Sequence, residues 1–186
     1  MTHTTEEQPA RTPPSAKKTE KPTTSWRRRI IETLLFIALF FGIVTWQARH
    51  LIPPGEPAPD AQLALFEGGE RSLSDLQGKQ TLVAFWAPWC GVCKATSGNV
   101  SRVQRWLGDR ANVVSVAIDY GSLADVANYV EKQGVDYPIL LDDGTIAEAY
   151  QLRVFPTFYV LDEQGRVKRR VTGYTSTLGL WFRTRF

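Results

Sequence analysis

Thr81-Leu82-Val83-Ala84-Phe85-Trp86-Ala87-Pro88-Trp89-Cys90-Gly91-Val92-Cys93-Lys94 decides the reading of this chain. The run from Thr81 to Trp86 is apolar without alternation, which predicts a strand buried on both faces. The two cysteines follow it directly and are the only ones in the sequence. From Cys90 to Leu107, apolar residues recur at Val92, Ala95, Val100, Val103, Trp106 and Leu107, a spacing that predicts one face of a helix. A Cys-x-x-Cys pair at a strand-to-helix junction lets one thiolate attack a disulfide while the second resolves the mixed intermediate.

Other uses of two cysteines are weaker. A tetrahedral zinc site needs two further Cys or His ligands, and the only histidines, His3 and His50, lie far from the pair in sequence. A purely structural disulfide over two intervening residues closes too short a loop to remove much chain entropy. Capture of Cu(I) by two thiolates needs few ligands and stays open as an alternative function, a copper-binding or copper-delivery module.

At 186 residues the chain has room for one well-buried domain plus extra material. Residues 1–29 read as a disordered tail, rich in Thr, Pro, Lys and Glu over most of their length. Residues 30–48 read as a single transmembrane anchor, with Glu32 the only charge between Ile30 and Trp46. Trp26 and Trp46 bracket the apolar run at a spacing of 20 residues; as a helix this spacing spans about 30 Å, the thickness of the hydrocarbon core.

Arg27-Arg28-Arg29 precede the span, so the tail is expected in the cytoplasm and the carboxy-terminal part exported. No small-x-small cleavage pattern follows the span, which favours an uncleaved anchor over a signal peptide. Residues 49–59, including Ile52-Pro53-Pro54-Gly55-Glu56-Pro57-Ala58-Pro59, read as a stiff linker. The net charge of +3 resides in the tail, where seven Lys and Arg face three Glu. The remainder is near neutral and carries no electrostatic footprint for nucleic acid.

Residues 60–186 alternate short apolar runs with helical patterns. Strands are expected at Leu63 to Phe66, Thr81 to Trp86, Val113 to Ile118, Pro138 to Leu141, Thr157 to Leu161 and Val167 to Val171. Helices are expected over 90–107, 123–133 and 145–150, the second burying Val126, Ala127 and Val130. This order implies an α/β fold, a mixed sheet with helices on both faces and the cysteines at the carboxyl end of a central strand.

Phe85-Trp86-Ala87-Pro88-Trp89-Cys90-Gly91-Val92-Cys93-Lys94, with Val154-Phe155-Pro156-Thr157-Phe158-Tyr159 some sixty residues later, resembles the thioredoxin fold. The opening Gly55-Glu56-Pro57-Ala58-Pro59-Asp60, Leu73 to Lys79, and an extra helix and strand between Asp119 and Asp142 resemble its membrane-anchored TlpA/ResA-like branch. Within that branch, the basic tail, Cys-Gly-Val-Cys and Gly173-Tyr174-Thr175-Ser176 look most like the suppressor-of-copper-sensitivity (ScsD-like) membrane thioredoxins.

The resemblance implies a thiol-disulfide oxidoreductase of a bacterial inner membrane, its domain in the periplasm, with no dissociable cofactor and no metal, acting on protein disulfides and recharged by a transmembrane thiol-reducing donor. It makes Cys90 and Cys93 the catalytic pair, with Trp89, Phe155 and Pro156 as the substrate-binding surface and Pro156 as a cis-proline. It also marks departures. Ala84 stands where cytoplasmic thioredoxins have a buried Asp, and Thr96 where ResA-like proteins have a Glu, which leaves the proton acceptor for Cys93 open.

Overall fold

The computed structural model describes residues 26–48 and 50–186. The described residues fall into two compact units that divide between Gly42 and Ile43. The tail expected over 1–29 lies outside the described residues as far as residue 25; residues 26–29 open a helix, α1 (Trp26–Ala48). Within α1 the one acid of the apolar run is paired, since Arg28 Nε donates to Glu32 Oε1 at 3.0 Å one turn away. Among the described residues, no helix is long and apolar enough to cross a membrane.

The carboxy-terminal unit is built on a seven-stranded mixed sheet. Its strands are β1 (Gln62–Leu65), β2 (Glu70–Ser72), β3 (Gln80–Trp86), β4 (Ala111–Ala117), β5 (Ile139–Leu141), β6 (Thr157–Leu161) and β7 (Val167–Thr172), arranged in the order β2-β1-β5-β4-β3-β6-β7. β3, β4 and β5 are parallel, and the pairs β1–β5, β1–β2, β3–β6 and β6–β7 are antiparallel. The helices are α2 (Gly91–Leu107), α3 (Leu123–Gln133), α4 (Thr145–Ala149) and α5 (Thr177–Arg185).

β3 is apolar throughout because both of its faces are covered. Val83 and Phe85 join Val114, Val116, Leu140 and Tyr159 beneath Ile146 and Tyr150 of the α4 region. Leu82 and Ala84 face the other way, onto Val100 and Val103 of α2 and Leu180 of α5. Trp86 packs on that same side with Cys93, Val126 and Tyr129. Paired on both flanks, β3 holds its carboxyl end, and the turn after it, in fixed register.

Three expectations need correction. The segment read as a stiff linker over 49–59 lies against the domain: Leu51 is buried, the Gly55 N–H donates to the Val167 carbonyl at 2.7 Å, and the Val167 N–H donates to Glu56 O at 2.9 Å. A proline-rich segment that turns at Pro54-Gly55 can line a strand edge as readily as it can span a gap. On α2, Val92, Ala95 and Trp106 are exposed, whereas Cys93, Thr96, Ser97, Asn99 and Ser101 are buried. Thr96 and Ser97 turn their hydroxyls onto carbonyls of α2 itself, donating to Val92 O at 2.7 Å and Lys94 O at 3.0 Å, and Asn99 meets the segment that opens α5: its Nδ2 donates to Thr175 O at 3.0 Å, and Thr177 Oγ1 donates to its Oδ1 at 2.9 Å. On α3 the buried pair is Val126 and Tyr129; Ala127 is exposed.

Candidate active site

Cys90 is the residue that caps α2. Its backbone is extended (φ −78°, ψ 109°), and its sulfur accepts the Cys93 N–H at 3.1 Å, the role that Ser or Asp plays at other helix starts. A sulfur placed there lies against unpaired backbone N–H groups and the positive end of the helix dipole, both of which favour thiolate over thiol. Cys93, one turn into the helix, is joined to Cys90 as a disulfide. Exposure is 7% for Cys90 and 2% for Cys93, so the first sulfur is the more accessible to an incoming partner.

Trp89 stands beside the pair, 61% exposed, and is held in place from two sides. Its indole Nε1 donates to the Asp119 carbonyl at 3.0 Å, and its ring meets Phe155 edge-on with centroids 5.9 Å apart. Asp119 presents that carbonyl from a left-handed backbone conformation (φ 46°), which Asp adopts more readily than most residues. The Phe155–Pro156 peptide is cis. Pro156 and Cys93 line the same cavity of about 10 Å³. All five residues singled out in the sequence therefore meet at one end of the sheet.

Among the described residues that line the cavity at Cys93 there is neither Asp nor Glu. Ala84 is buried, and the Thr96 hydroxyl is engaged, donating to Val92 O at 2.7 Å. The remaining polar groups around the cavity are Ser97, which donates to Lys94 O at 3.0 Å, and the phenols of Tyr129 and Tyr137. Burial pushes the Tyr129 phenol up to about 12, partly offset by its hydrogen bond with Ser97, so it stays protonated in neutral solution. Burial raises Tyr137 as well. These hydroxyls can pass a proton along; none is a resting base.

Sequence reasoning missed Tyr129, which stacks on Trp86 at 3.9 Å, and the backbone of Asp119. It also missed the groove of about 530 Å³ beside Trp89, lined by Lys94, Asp119, Asp125, Tyr129 and Lys132 among others. Only the Ser122 cap with Asp125 three residues on could have signalled how α3 begins there. Among the described residues no group of three or more His, Cys, Asp or Glu gathers as a metal site.

The AhpC/TSA family model matches residues 54–170, the stretch that holds the sheet from β1 to most of β7 and both cysteines. The chain belongs to that family. It is similar to the thioredoxin-like protein YneN of Bacillus subtilis, 32% identical over 119 residues, covering 63% of this chain and 70% of YneN. It is similar too to the thiol-disulfide oxidoreductase ResA of the same organism, 30% identical over 155 residues, covering 79% of this chain and 86% of ResA. Among solved structures, a thiol:disulfide interchange protein of the thioredoxin family from Chlorobium tepidum superposes with a TM-score of 0.64 at 26% identity, covering 72% of this chain and 96% of the other. The expected thioredoxin-like fold is thus confirmed, and the protein is a thiol-disulfide oxidoreductase.

Proposed function

We propose that this protein is a membrane-anchored oxidoreductase whose domain faces the periplasm, where it reduces or isomerises protein disulfides and is recharged by a transmembrane thiol-reducing donor. The observation that carries the reading is the Cys90 sulfur, capping α2 and accepting the Cys93 N–H, with the Trp89–Phe155 platform beside it. In the reductive direction, the Cys90 thiolate attacks a substrate disulfide. The substrate S–S bond breaks, a mixed disulfide forms, and one substrate thiolate departs. Cys93 then loses its proton, attacks the Cys90 sulfur and closes the internal disulfide, releasing the second substrate thiolate. Two electrons pass to the substrate, and the donor returns them.

Trp89, Phe155 and Pro156 are assigned to substrate binding, with an extended polypeptide lying along the residues before β6. The anchor is supported by the apolar composition of residues 30–46, the flanking Trp26 and Trp46, and the arginine cluster that precedes them. The ScsD-like branch is supported by Cys-Gly-Val-Cys and by Gly173-Tyr174-Thr175-Ser176, whose last residue caps α5.

The test is trapping in cells. Cys93→Ser leaves an attacker without a resolver and accumulates mixed disulfides, whereas Cys90→Ser traps almost nothing; equal trapping by both sinks the assignment. Fusion reporters that work only after export test the topology, being active beyond Phe186 and silent at Met1. The copper-binding alternative predicts stoichiometric Cu(I) uptake without turnover. Many disulfides reduced per protein molecule would exclude it as the main activity.

A further inference from the structure

The redox site makes no use of an aromatic face on α5. This helix buries only Leu180 and Thr184; Leu178, Phe182 and Phe186 are 67%, 56% and 58% exposed. Phe186 joins the set into one surface, meeting Trp181 with centroids 6.2 Å apart and Phe182 at 5.1 Å. From α2, the exposed Trp106 meets Leu178 and Trp181 around a shallow groove of about 390 Å³, with Arg110 at its margin. Trp106, Leu178, Phe182 and Phe186 are thus exposed together around a half-buried Trp181, an aromatic cluster of the kind that marks an interaction surface.

The charges around the patch indicate what covers it. The elements that carry the patch bring Arg110, Arg183 and Arg185 against one acid, Asp109, and β7 adds Lys168 and Arg169, with neither Asp nor Glu from Gly165 to Phe186. Arg183 borders one hollow with Lys168, Arg169 and Arg170. Arg110 is held beside Trp106, its Nη2 donating to the Trp106 carbonyl at 2.6 Å. A protein partner is ordinarily met with charges of both signs at the rim. Trp and Phe rings bordered chiefly by cations are the composition that settles in a bilayer interface, rings at headgroup depth and guanidinium groups on phosphates.

We propose that α5 and the carboxyl end of α2 form a docking face for an anionic phospholipid surface. The docking is a property of the folded domain and does not depend on α1 spanning a bilayer. Trp106 and Cys90 lie at opposite ends of α2, about 24 Å apart along a helix of this rise, so the docked domain keeps its dithiol open to substrates.

Hydrogen exchange on the full chain in nanodiscs tests this. Discs of phosphatidylcholine alone are compared with discs containing phosphatidylglycerol. Amides of residues 178–186 are expected to exchange more slowly only in the anionic discs, with the slowing lost in high salt. Each cation at an anionic surface contributes roughly fivefold to binding, so Arg183→Glu with Arg185→Glu should weaken docking at least about 25-fold and abolish the protection. Phe182→Ser with Phe186→Ser alters only exposed side chains and should do the same, while disulfide turnover in lipid-free solution stays at the parent rate. Identical exchange in both kinds of disc overturns the proposal. So does protection that follows the number of chains per disc rather than lipid charge, which would assign the face to a second copy.

Discussion

Trp89 is fixed without being buried. Its hydrogen bond to Asp119 O and its edge contact with Phe155 set the ring orientation, while most of its surface faces solvent. Trp89→Ala should therefore change stability by no more than about 0.5 kcal/mol, the range of surface substitutions. It should raise KM for protein disulfides severalfold and leave turnover of a small disulfide near the parent value. Thermal unfolding and the two turnover assays check this.

Asp60 gives a second residue-scale prediction. Partial burial alone would raise its carboxyl, but hydrogen bonds from the Ser72 and Ser74 hydroxyls and from the Ser74 and Leu73 amides outweigh it and hold the group below its ordinary 3.8. A carboxylate depressed by folding contributes stability above its unfolded pKa and loses it as pH falls through the folded one. Asp60→Asn should thus cost about 1 kcal/mol at neutral pH, a charge-assisted hydrogen-bond contribution discounted for solvent exposure. The difference from the parent should begin to shrink as pH falls toward 3.8, the ordinary value of the group, and should close only once pH is below the lowered value in the folded protein; urea unfolding across pH reads it.

The five site residues were legible because their identities carry the chemistry and short spacings place them. The Asp119 carbonyl was not, since a backbone acceptor leaves no mark in the side-chain sequence. Tyr129 was hidden for a different reason: its partner Trp86 sits on another element, and only the crossing of α3 over β3 brings the rings together.

At the level of elements, six of the seven strands and the bounds of α3 followed from apolar runs and turn residues; β2, Glu70-Arg71-Ser72, has no apolar run to show it. α5 did not follow either, because it buries only Leu180 and Thr184, too few positions to leave a period in the sequence. Beside the apolar anchor of Leu180, its attachment runs through Asn99, which is buried and bonded to both Thr175 and Thr177. Asn99→Ala leaves the Thr175 carbonyl without that donor and should cost about 2 kcal/mol. Local exchange in α5 should accelerate more than in β3, since the damage is confined to the α2–α5 contact. That contact explains why an apolar reading missed Asn99 on α2, while Thr96 and Ser97 are buried with their hydroxyls satisfied by carbonyls of their own helix.

For the whole molecule, the prediction is its redox poise. Gly91 and Val92 bring no charge between the cysteines, so the thiolate lacks the extra stabilisation that makes a dithiol strongly oxidising. The expected potential is about −180 to −270 mV, between isomerase-like and thioredoxin-like values. Equilibration with glutathione measures it, and alkylation of quenched cells shows which form dominates. A pair found fully oxidised, and unchanged when candidate donors are deleted, would mean that electrons flow the other way.

The docked segment around Gly55 has a consequence for crowding. β2 and β7 are the outer strands of the sheet. β2 is three residues long and begins Glu70-Arg71. β7 has its first residue already bonded to Gly55 and Glu56, and its middle is Lys168-Arg169-Arg170. An open strand edge is a template on which a neighbouring chain can add its own strand, the first step toward fibrous aggregates. With one edge short and charged and the other partly occupied, copies gathered at high local density have little exposed backbone on which to zip together.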